Sequence, residues 1–496
     1  MDDRLASIDL GSNTFRLSIG RIVRHGGAVQ IYTEDKLREL VALASGLDEY
    51  QRINAPTIAQ ALAALRRFGE RLKGFSPDNV RAVATNTFRV ARNAAEILPE
   101  AEHALGFPIE IISGQEEARL IYLGVSQYLP PSPHRRLVID IGGGSTEFII
   151  GQGEQPQQLA SLQLGCTSLT RKFFPHGRIT KARMHQAILA ARSTMESITS
   201  TYRRIGWQEA YGSSGTAKGL LAILVENGLS PDDITLDGLE RLSTALIQAG
   251  EARLQDWAGL KPERAPVLAG GLAIMIAAFQ ELGIEHMNAG EGALRVGVLH
   301  DLLGRDSHHD RRDETARQMS SRYQLDAKQA NHVRNIALRL FDQLEFPPLA
   351  GISELRRALA WTAQLHEVGL AIARNDYHKH SAYILEHADM PGFSRDDQHL
   401  LAFLALGHQG RLTKVRHFEP DHTQWLALCC LRLAVLLLRR REPVDTLPFG
   451  IRANSQTVTL SVNGDWLDSH PLSGFLLKTE VEVWRKAGFM LEISKK

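Results

Sequence analysis

Two stretches decide the fold: Ser7-Ile-Asp-Leu-Gly-Ser-Asn-Thr-Phe15 and Ile139-Asp-Ile-Gly-Gly-Gly-Ser-Thr-Glu-Phe148. Each runs from an apolar strand through an Asp and, two residues on, a Gly, into a polar turn that returns to an apolar strand. The interval from Asp9 to Gly20 equals that from Asp140 to Gly151. One hairpin met twice in the same register implies a duplication, with two homologous α/β halves facing each other.

Working outward from the first hairpin, helical periodicity covers residues 55–72 and a short buried strand covers 80–85. A second strand, 109–112, leads through Ser113-Gly114 into a helix carrying Glu116, Glu117 and Arg119. Alternating strands and helices predict an α/β layer architecture. The Pro-rich segment Leu129-Pro-Pro-Ser-Pro-His134 is a loop, because its prolines fix φ and remove donors. Beyond Asp301 the character changes: residues 304–312 are polar and charged, and 314–441 read as successive helices. Alternation over 452–462, an amphipathic segment 472–486 and a short apolar run 490–493 predict a small α/β end piece. The expected domains are 1–126, 127–303, 304–445 and 446–496.

Composition agrees with such an organisation. The 496 residues suit about three or four domains, and 44% hydrophobic with 23% charged residues is ordinary for a globular protein. A net charge of +1 supplies no long-range pull on a polyanion, which would need local basic clusters; it neither supports nor excludes such a ligand, and no nucleic-acid partner is expected. Cys166, Cys429 and Cys430 have neither metal-ligand spacing nor a framework of bridges. Together with an N-terminus lacking an export signal, they predict a cytoplasmic location. The stretch 426–438, read as the most apolar, is interrupted by Arg432 and falls short of the ~20 residues of a spanning helix, so it is expected as core and no membrane span is predicted.

Phosphate sites need backbone donors that approach closely, hence glycines and small hydroxyl residues. Gly142, Gly143, Gly144, Ser145 and Thr146 meet that need, and so do Gly11, Ser12, Asn13 and Thr14. Gly212, Ser213, Ser214, Gly215 and Thr216 precede a helix whose N-terminus could hold an anion or simply be capped. Asp9, Asp140 and Glu147 beside such cradles would repel phosphate unless a hard divalent cation, magnesium, neutralises them. Either Glu116 or Glu117 can serve as a base toward water, and Arg89 can clamp a terminal phosphate.

Six blocks then match a known family. Asp9-Leu-Gly-Ser-Asn-Thr-Phe15, Ala84-Thr-Asn-Thr-Phe-Arg89, Ser113-Gly-Gln-Glu-Glu-Ala-Arg119, Val138-Ile-Asp-Ile-Gly-Gly-Gly-Ser-Thr-Glu147, Gly212-Ser-Ser-Gly-Thr216 and Glu291-Gly-Ala-Leu-Arg-Val-Gly-Val298 resemble, in order, the signatures of the exopolyphosphatase and guanosine pentaphosphate phosphohydrolase family. The resemblance implies an actin-like, sugar-kinase-like or Hsp70-type duplicated core with the site in its cleft. It implies Glu117 as the base, Arg89 at the phosphate, Asp140 and Glu147 at the metal, phosphate contacts from the glycine turns, and a homodimer. Arg16 stands where relatives often have His.

The resemblance continues through Leu365-His-Glu-Val-Gly-Leu370, His380-Ser-Ala-Tyr-Ile-Leu385 and Pro391-Gly-Phe393, implying an all-α, degenerate HD-like domain. His366-Glu367 replaces the His-Asp pair of a metal-binding version, so His332, His366 and His380 are expected as core or cleft residues. Arg439-Arg-Arg441 and the segment Arg374 to His380 are candidate extensions of a polyphosphate groove. His380-Ser-Ala-Tyr-Ile-Leu385 and Phe75-Ser-Pro77 favour the exopolyphosphatase branch, acting on inorganic polyphosphate. The alternatives are guanosine pentaphosphate (pppGpp) hydrolysis, a kinase or ATPase of the same fold, and a non-catalytic regulator binding polyphosphate or alarmone.

Overall fold

The computed structural model describes residues 3–25, 28–306, 310–346, 351–442, 447–454 and 457–495. It divides into two compact units, Met1–Asp310 and Arg311–Lys496. The division falls between residues 310 and 311, and the expected boundary at 445/446 lies outside the described residues.

In the first unit β1 (Arg4–Leu10) and β2 (Thr14–His25) form the predicted hairpin, with Asp9 opposite Arg16. On one side β3 (Ala28–Leu40) pairs antiparallel with β2; on the other, β4 (Val80–Ala84) and β5 (Ile109–Ile111) run parallel to β1. Ala6, Ile8 and Leu10 of β1 and Phe15, Leu17 and Ile19 of β2 are alternate residues, so they share one face. That face is buried under helix Ala55–Arg71, which Asn54 caps by accepting from the Thr57 amide at 3.0 Å.

The second half repeats the first. β6 (Arg135–Ile141), β7 (Thr146–Gln152) and β8 (Gln155–Leu162) form an antiparallel meander in which Asp140 faces Glu147. β9 (Glu209–Gly212) and β11 (His286–Ala289) extend the sheet in parallel beyond β6, with β10 (Ile234–Thr235) at the edge. The order β3-β2-β1-β4-β5 is thus matched by β8-β7-β6-β9-β11, pair for pair in strand direction. Helix Leu268–Leu282 lies in the core of this half, almost wholly buried. Ala265–Leu282, which the sequence reading passes over, is long and apolar enough to cross a membrane, with mean hydropathy 1.6, but 72% of it is buried inside the protein. It packs as a core helix.

Between the two sheets, Val83, Val138 and Ile149 meet helices Gly114–Ser126 and Leu294–Asp306 through Leu120, Tyr122, Val125 and Val298. The two helices touch backbone to backbone: a Cβ on Gly297 would stand 1.8 Å from the Leu120 carbonyl oxygen, so no side chain fits there. A buried charge network fixes the same contact. Arg119 binds Glu116 at 2.7 and 2.8 Å and also Asp301, and Arg81 of β4 reaches Asp301 at 2.7 Å and Glu110 at 2.9 Å. Burial pushes Asp301 up, but Arg119, Arg81 and Arg305 outweigh it and hold this carboxyl well below the usual range.

The second unit is a helical assembly, running from helix Arg311–Arg322 to His422–Leu437, with a three-stranded sheet β12 (Phe449–Ala453), β13 (Thr457–Val462) and β14 (Met490–Lys495). Phe449, Ile451, Leu460 and Leu491 of this sheet share a core with Leu428, Leu431 and Leu433 of helix His422–Leu437. The sheet packs as part of the second unit, where the sequence suggests a separate piece.

Candidate active site

The duplicated hairpins bring their turns together: a Cβ on Gly143 would stand 3.2 Å from Cβ of Ser12. Among the described residues, the amides of Gly143 and Gly144 in one turn and of Ser12 and Asn13 in the other have no backbone partner, whereas the Gly142 amide donates to the Ser145 carbonyl at 2.9 Å. Carbonyls are already engaged: Gly142 and Gly143 accept from Cys166 and Thr167, and Asn13 accepts from Ala42. What the turns present is donors, which is what an anion requires. A Cβ on Gly144 would fall 2.1 Å from Asn86 Nδ2, so any larger residue there must displace the Asn86 side chain or the turn.

Around the turns stand carboxylates. Asp9 ends β1 and Asp140 ends β6, where Oδ2 accepts from Ser213 Oγ at 2.5 Å. Glu147 on β7 accepts from Ser161 Oγ at 2.8 Å. Burial pushes Asp9 up to about 6, against the pull of Arg16 and Arg295 and with the push of Glu117 and Asp140. Burial likewise raises Asp140 to about 6, opposed by the Ser213 hydrogen bond. Glu147 is raised further, by burial first and then by the Glu117 and Asp140 charges. All three thus feel Glu117, which places them around one point.

The two candidate bases separate cleanly. Ser113 caps helix Gly114–Ser126, accepting from the Glu116 amide at 3.1 Å. The next two side chains diverge: Glu116, fully buried, is bound into the Arg119 network, and Glu117 meets Arg89, whose Nη1 donates to Oε2 at 2.7 Å. Arg89 Nη1 also donates to the Ile112 carbonyl at 3.0 Å, and its buried Nη2 has no partner.

The third glycine element follows β9. Ser214 caps helix Gly215–Glu226, accepting from the Thr216 and Ala217 amides. Thr216 donates to the Ile141 carbonyl at 3.0 Å and Thr146 to that of Leu164. These hydroxyls shape the turns, and Ser213 is committed to Asp140. Beside the helix opens a cavity of about 230 Å³ lined by Leu260, Val267 and Gly219, with five cations (Arg16, Arg38, Lys218, Lys261, Arg264) against one carboxylate, Glu263. Sequence reasoning named Arg16 only as a departure and missed Asn86, Ser161, Arg264 and Arg295; Asn86 and Arg295 sit inside quoted blocks, but the other two carry no local signal.

A hard cation fits the chemistry of this donor set, buried carboxylates that raise one another's pKa. Among the described residues, however, no three His, Cys, Asp or Glu side chains form a metal cage, so Asp9, Asp140 and Glu147 are not a preassembled triple ligand. Magnesium suits such a site, because it binds through one or two carboxylates plus substrate phosphates.

Paired glycine turns that present amide donors, buried carboxylates and a duplicated actin-like fold are features suited to handling phosphoryl groups. Residues 19–306 match the Ppx/GppA phosphatase family and 311–481 match domain III of the Ppx/GppA phosphatases. The chain belongs to the Ppx/GppA phosphatase family. It is 39% identical over 491 residues to a guanosine-5'-triphosphate,3'-diphosphate pyrophosphatase of Aeromonas hydrophila, covering 98% of this chain and 97% of that one. A protein of the same name from Vibrio cholerae is 36% identical over 491 residues, with the same coverage. Among solved structures, the Aquifex aeolicus family member aligns with TM-score 0.51 at 25% identity, over 61% of this chain and 98% of that one.

Proposed function

We propose that this protein hydrolyses the terminal phosphoanhydride of guanosine pentaphosphate, with inorganic polyphosphate as a second substrate of the same site. The reaction rests on one observation: Glu117, held by Arg89 at 2.7 Å, stands among the carboxylates and beside turns whose amides are free. In this reading Glu117 accepts the proton of the attacking water. The turn amides and Arg89 Nη2 take up charge growing on the transferred group. Asp140 and Glu147, with Asp9 near them, hold magnesium, which when bound neutralises the phosphates and orients them.

The choice of substrate differs from the exopolyphosphatase branch that the sequence favours. Relatives matching over the full length are named for the guanosine nucleotide, and the cavity at Gly219 offers what a nucleoside needs and a polyphosphate lacks: an apolar slot, rimmed by cations suited to a 3'-diphosphate. The long-chain reading keeps Arg439 to Arg441 as its groove, although Arg441 is already paired with Asp326 at 3.0 Å and Glu367 at 2.6 Å. In the second unit, the degenerate HD-like reading is retained as a proposal on the residues that suggested it.

Gly219 supplies the test. No atom lies within 4 Å of where its Cβ would stand, and it lines the cavity from a helix, so Gly219→Leu fills the slot without a clash. Phosphate release from guanosine pentaphosphate and from polyphosphate is compared for wild type and variant, with magnesium present or chelated. A raised KM for the nucleotide alone supports the reading; equal loss on both substrates, or none on either, overturns the placement of the nucleoside.

A further inference from the structure

A cavity of the second unit contains none of the candidate hydrolytic residues. It measures about 630 Å³, within the ~300–1,000 Å³ of small-molecule sites. Its apolar wall comes from Leu370, Val435, Leu436 and Leu476.

Its polar groups are incompletely matched. His366 is 1% exposed and its Nδ1 lies 2.8 Å from the Ala363 carbonyl, which can only accept, so the proton sits on Nδ1 and Nε2 carries a bare lone pair. Among the described residues nothing donates to that Nε2. The neighbouring His408, stacked edge-on to it at 5.3 Å, shows the satisfied version: its Nδ1 meets the Ala405 carbonyl and its Nε2 accepts from Tyr377 Oη at 3.1 Å. Gln329, 6% exposed, donates Nε2 to the Leu438 carbonyl at 3.0 Å, which fixes the amide and leaves Oε1 buried without a donor. A buried acceptor left without a donor, as Gln329 Oε1 is, is destabilising.

Cations are in surplus on the same walls. Arg432 is neutralised by Glu480, and Arg441 by Glu367 at 2.6 Å. Arg374 and Arg439 make no ion pair among the described residues, and both act electrostatically on Tyr377, which places them at the same end of the cavity.

We propose that this cavity binds a nucleoside phosphate, with its phosphates on Arg374 and Arg439 and an N–H or O–H of its base or sugar donated to His366 Nε2 and Gln329 Oε1. An inorganic phosphate would satisfy the arginines and leave both acceptors bare; a neutral base would do the reverse. Only a ligand with both features completes the site. It stands apart from the hydrolysis of guanosine pentaphosphate, with whose site it shares no residue, so that either can fail alone; Arg374 and Arg439 belong also to the candidate long-chain groove.

The test uses the full chain and hydrogen–deuterium exchange, which reports the two sites on different peptides. GDP is expected to slow exchange in segments 366–377 and 432–441, and pyrophosphate to do so only at concentrations about tenfold or more higher, since it lacks the donor. Arg374→Ala and Arg439→Ala, singly and together, change exposed side chains and leave the fold intact. The pair is expected to weaken GDP protection of these segments about tenfold or more, while hydrolysis of guanosine pentaphosphate and protection in the first unit stay as in wild type. Protection confined to the first unit, or undiminished in the double variant, overturns the site. Pyrophosphate acting as well as GDP overturns the part played by His366 and Gln329.

Discussion

Arg89 Nη1 lies 2.7 Å from Glu117 Oε2, so the candidate base is held by the same residue that is placed to meet a phosphate. One guanidinium group can serve both because its second nitrogen, Nη2, has no partner. The pairing also sets Glu117 apart from its neighbour Glu116, which belongs to a different network.

Glu117→Gln should therefore reduce phosphate release by ~10²–10⁴, with a smaller change in thermal unfolding, because losing the Arg89 pair is offset by relieving the repulsion that Glu117 exerts on Asp9, Asp140 and Glu147. Glu116→Gln should do the opposite, because it breaks a buried pair with Arg119 at a cost of ~3–5 kcal/mol. Rates and unfolding midpoints measured on both variants check the assignment; a silent Glu117→Gln would return the role to Glu116 or elsewhere.

Arg89→Lys should not rescue Arg89→Ala. A lysine ammonium is a single point and cannot hold Glu117 and the Ile112 carbonyl while directing a second nitrogen to phosphate. Both variants are expected to lose ~10²-fold or more in kcat. Lysine activity close to wild type would mean that only the charge matters.

Stability and activity should depend on pH in opposite senses. Asp9 and Asp140 titrate near 6 in the folded protein against 3.8 when exposed, so the folded chain binds more protons between those values. Each carboxyl then costs stability as pH rises from about 4 to about 6, and the full cost persists above. Asp140→Asn should raise the unfolding midpoint at pH 8 in the absence of magnesium and leave it almost unchanged at pH 4. Hydrolysis should fall as pH drops through about 6, and more magnesium should move that limb to lower pH, because cation and proton compete for the same oxygens. A limb indifferent to magnesium would remove these carboxylates from metal binding.

Gly144→Ala tests the turn. Its Cβ would meet Asn86 Nδ2 at 2.1 Å, forcing the turn or the Asn86 side chain to move, and a displacement of that order at a reacting centre costs ~10²-fold. Gly153→Ala is the control, at a positive φ of 57° but with open space around it and no part in the site. Activity should separate the two variants; equal losses would show that backbone strain alone is being read.

Much of this was legible in sequence because a hairpin is local: the register of Asp9 with Arg16 and of Asp140 with Glu147 follows from the spacing across a short turn. The helix start at Ser113 was legible too, but not which of Glu116 and Glu117 faces the site, since that depends on Arg81 and Asp301, 35 residues before Glu116 and 185 after it. Ser161 and Arg264 were invisible for the same reason: each reaches the site from a part of the chain that has no chemical motif. β3 was missed because most of its residues are exposed, apolar Val29 and Leu40 among them, so it lacks the apolar alternation that marks a half-buried strand. The sheet near the C-terminus was legible as strands, but its sharing of a core with helix His422–Leu437 is a tertiary fact.

The charge network behind the Glu117 helix makes two identical neighbours answer to different masters. Glu116 is tied into the packing of the helix, whereas Glu117 faces the candidate site. In a library randomising both positions, selection on a reporter of folding alone should keep Glu116 and release Glu117, whereas selection on phosphate release should keep both. Any lineage that abandoned hydrolysis while retaining this architecture would carry the loss as a change at the second glutamate, with the first left standing.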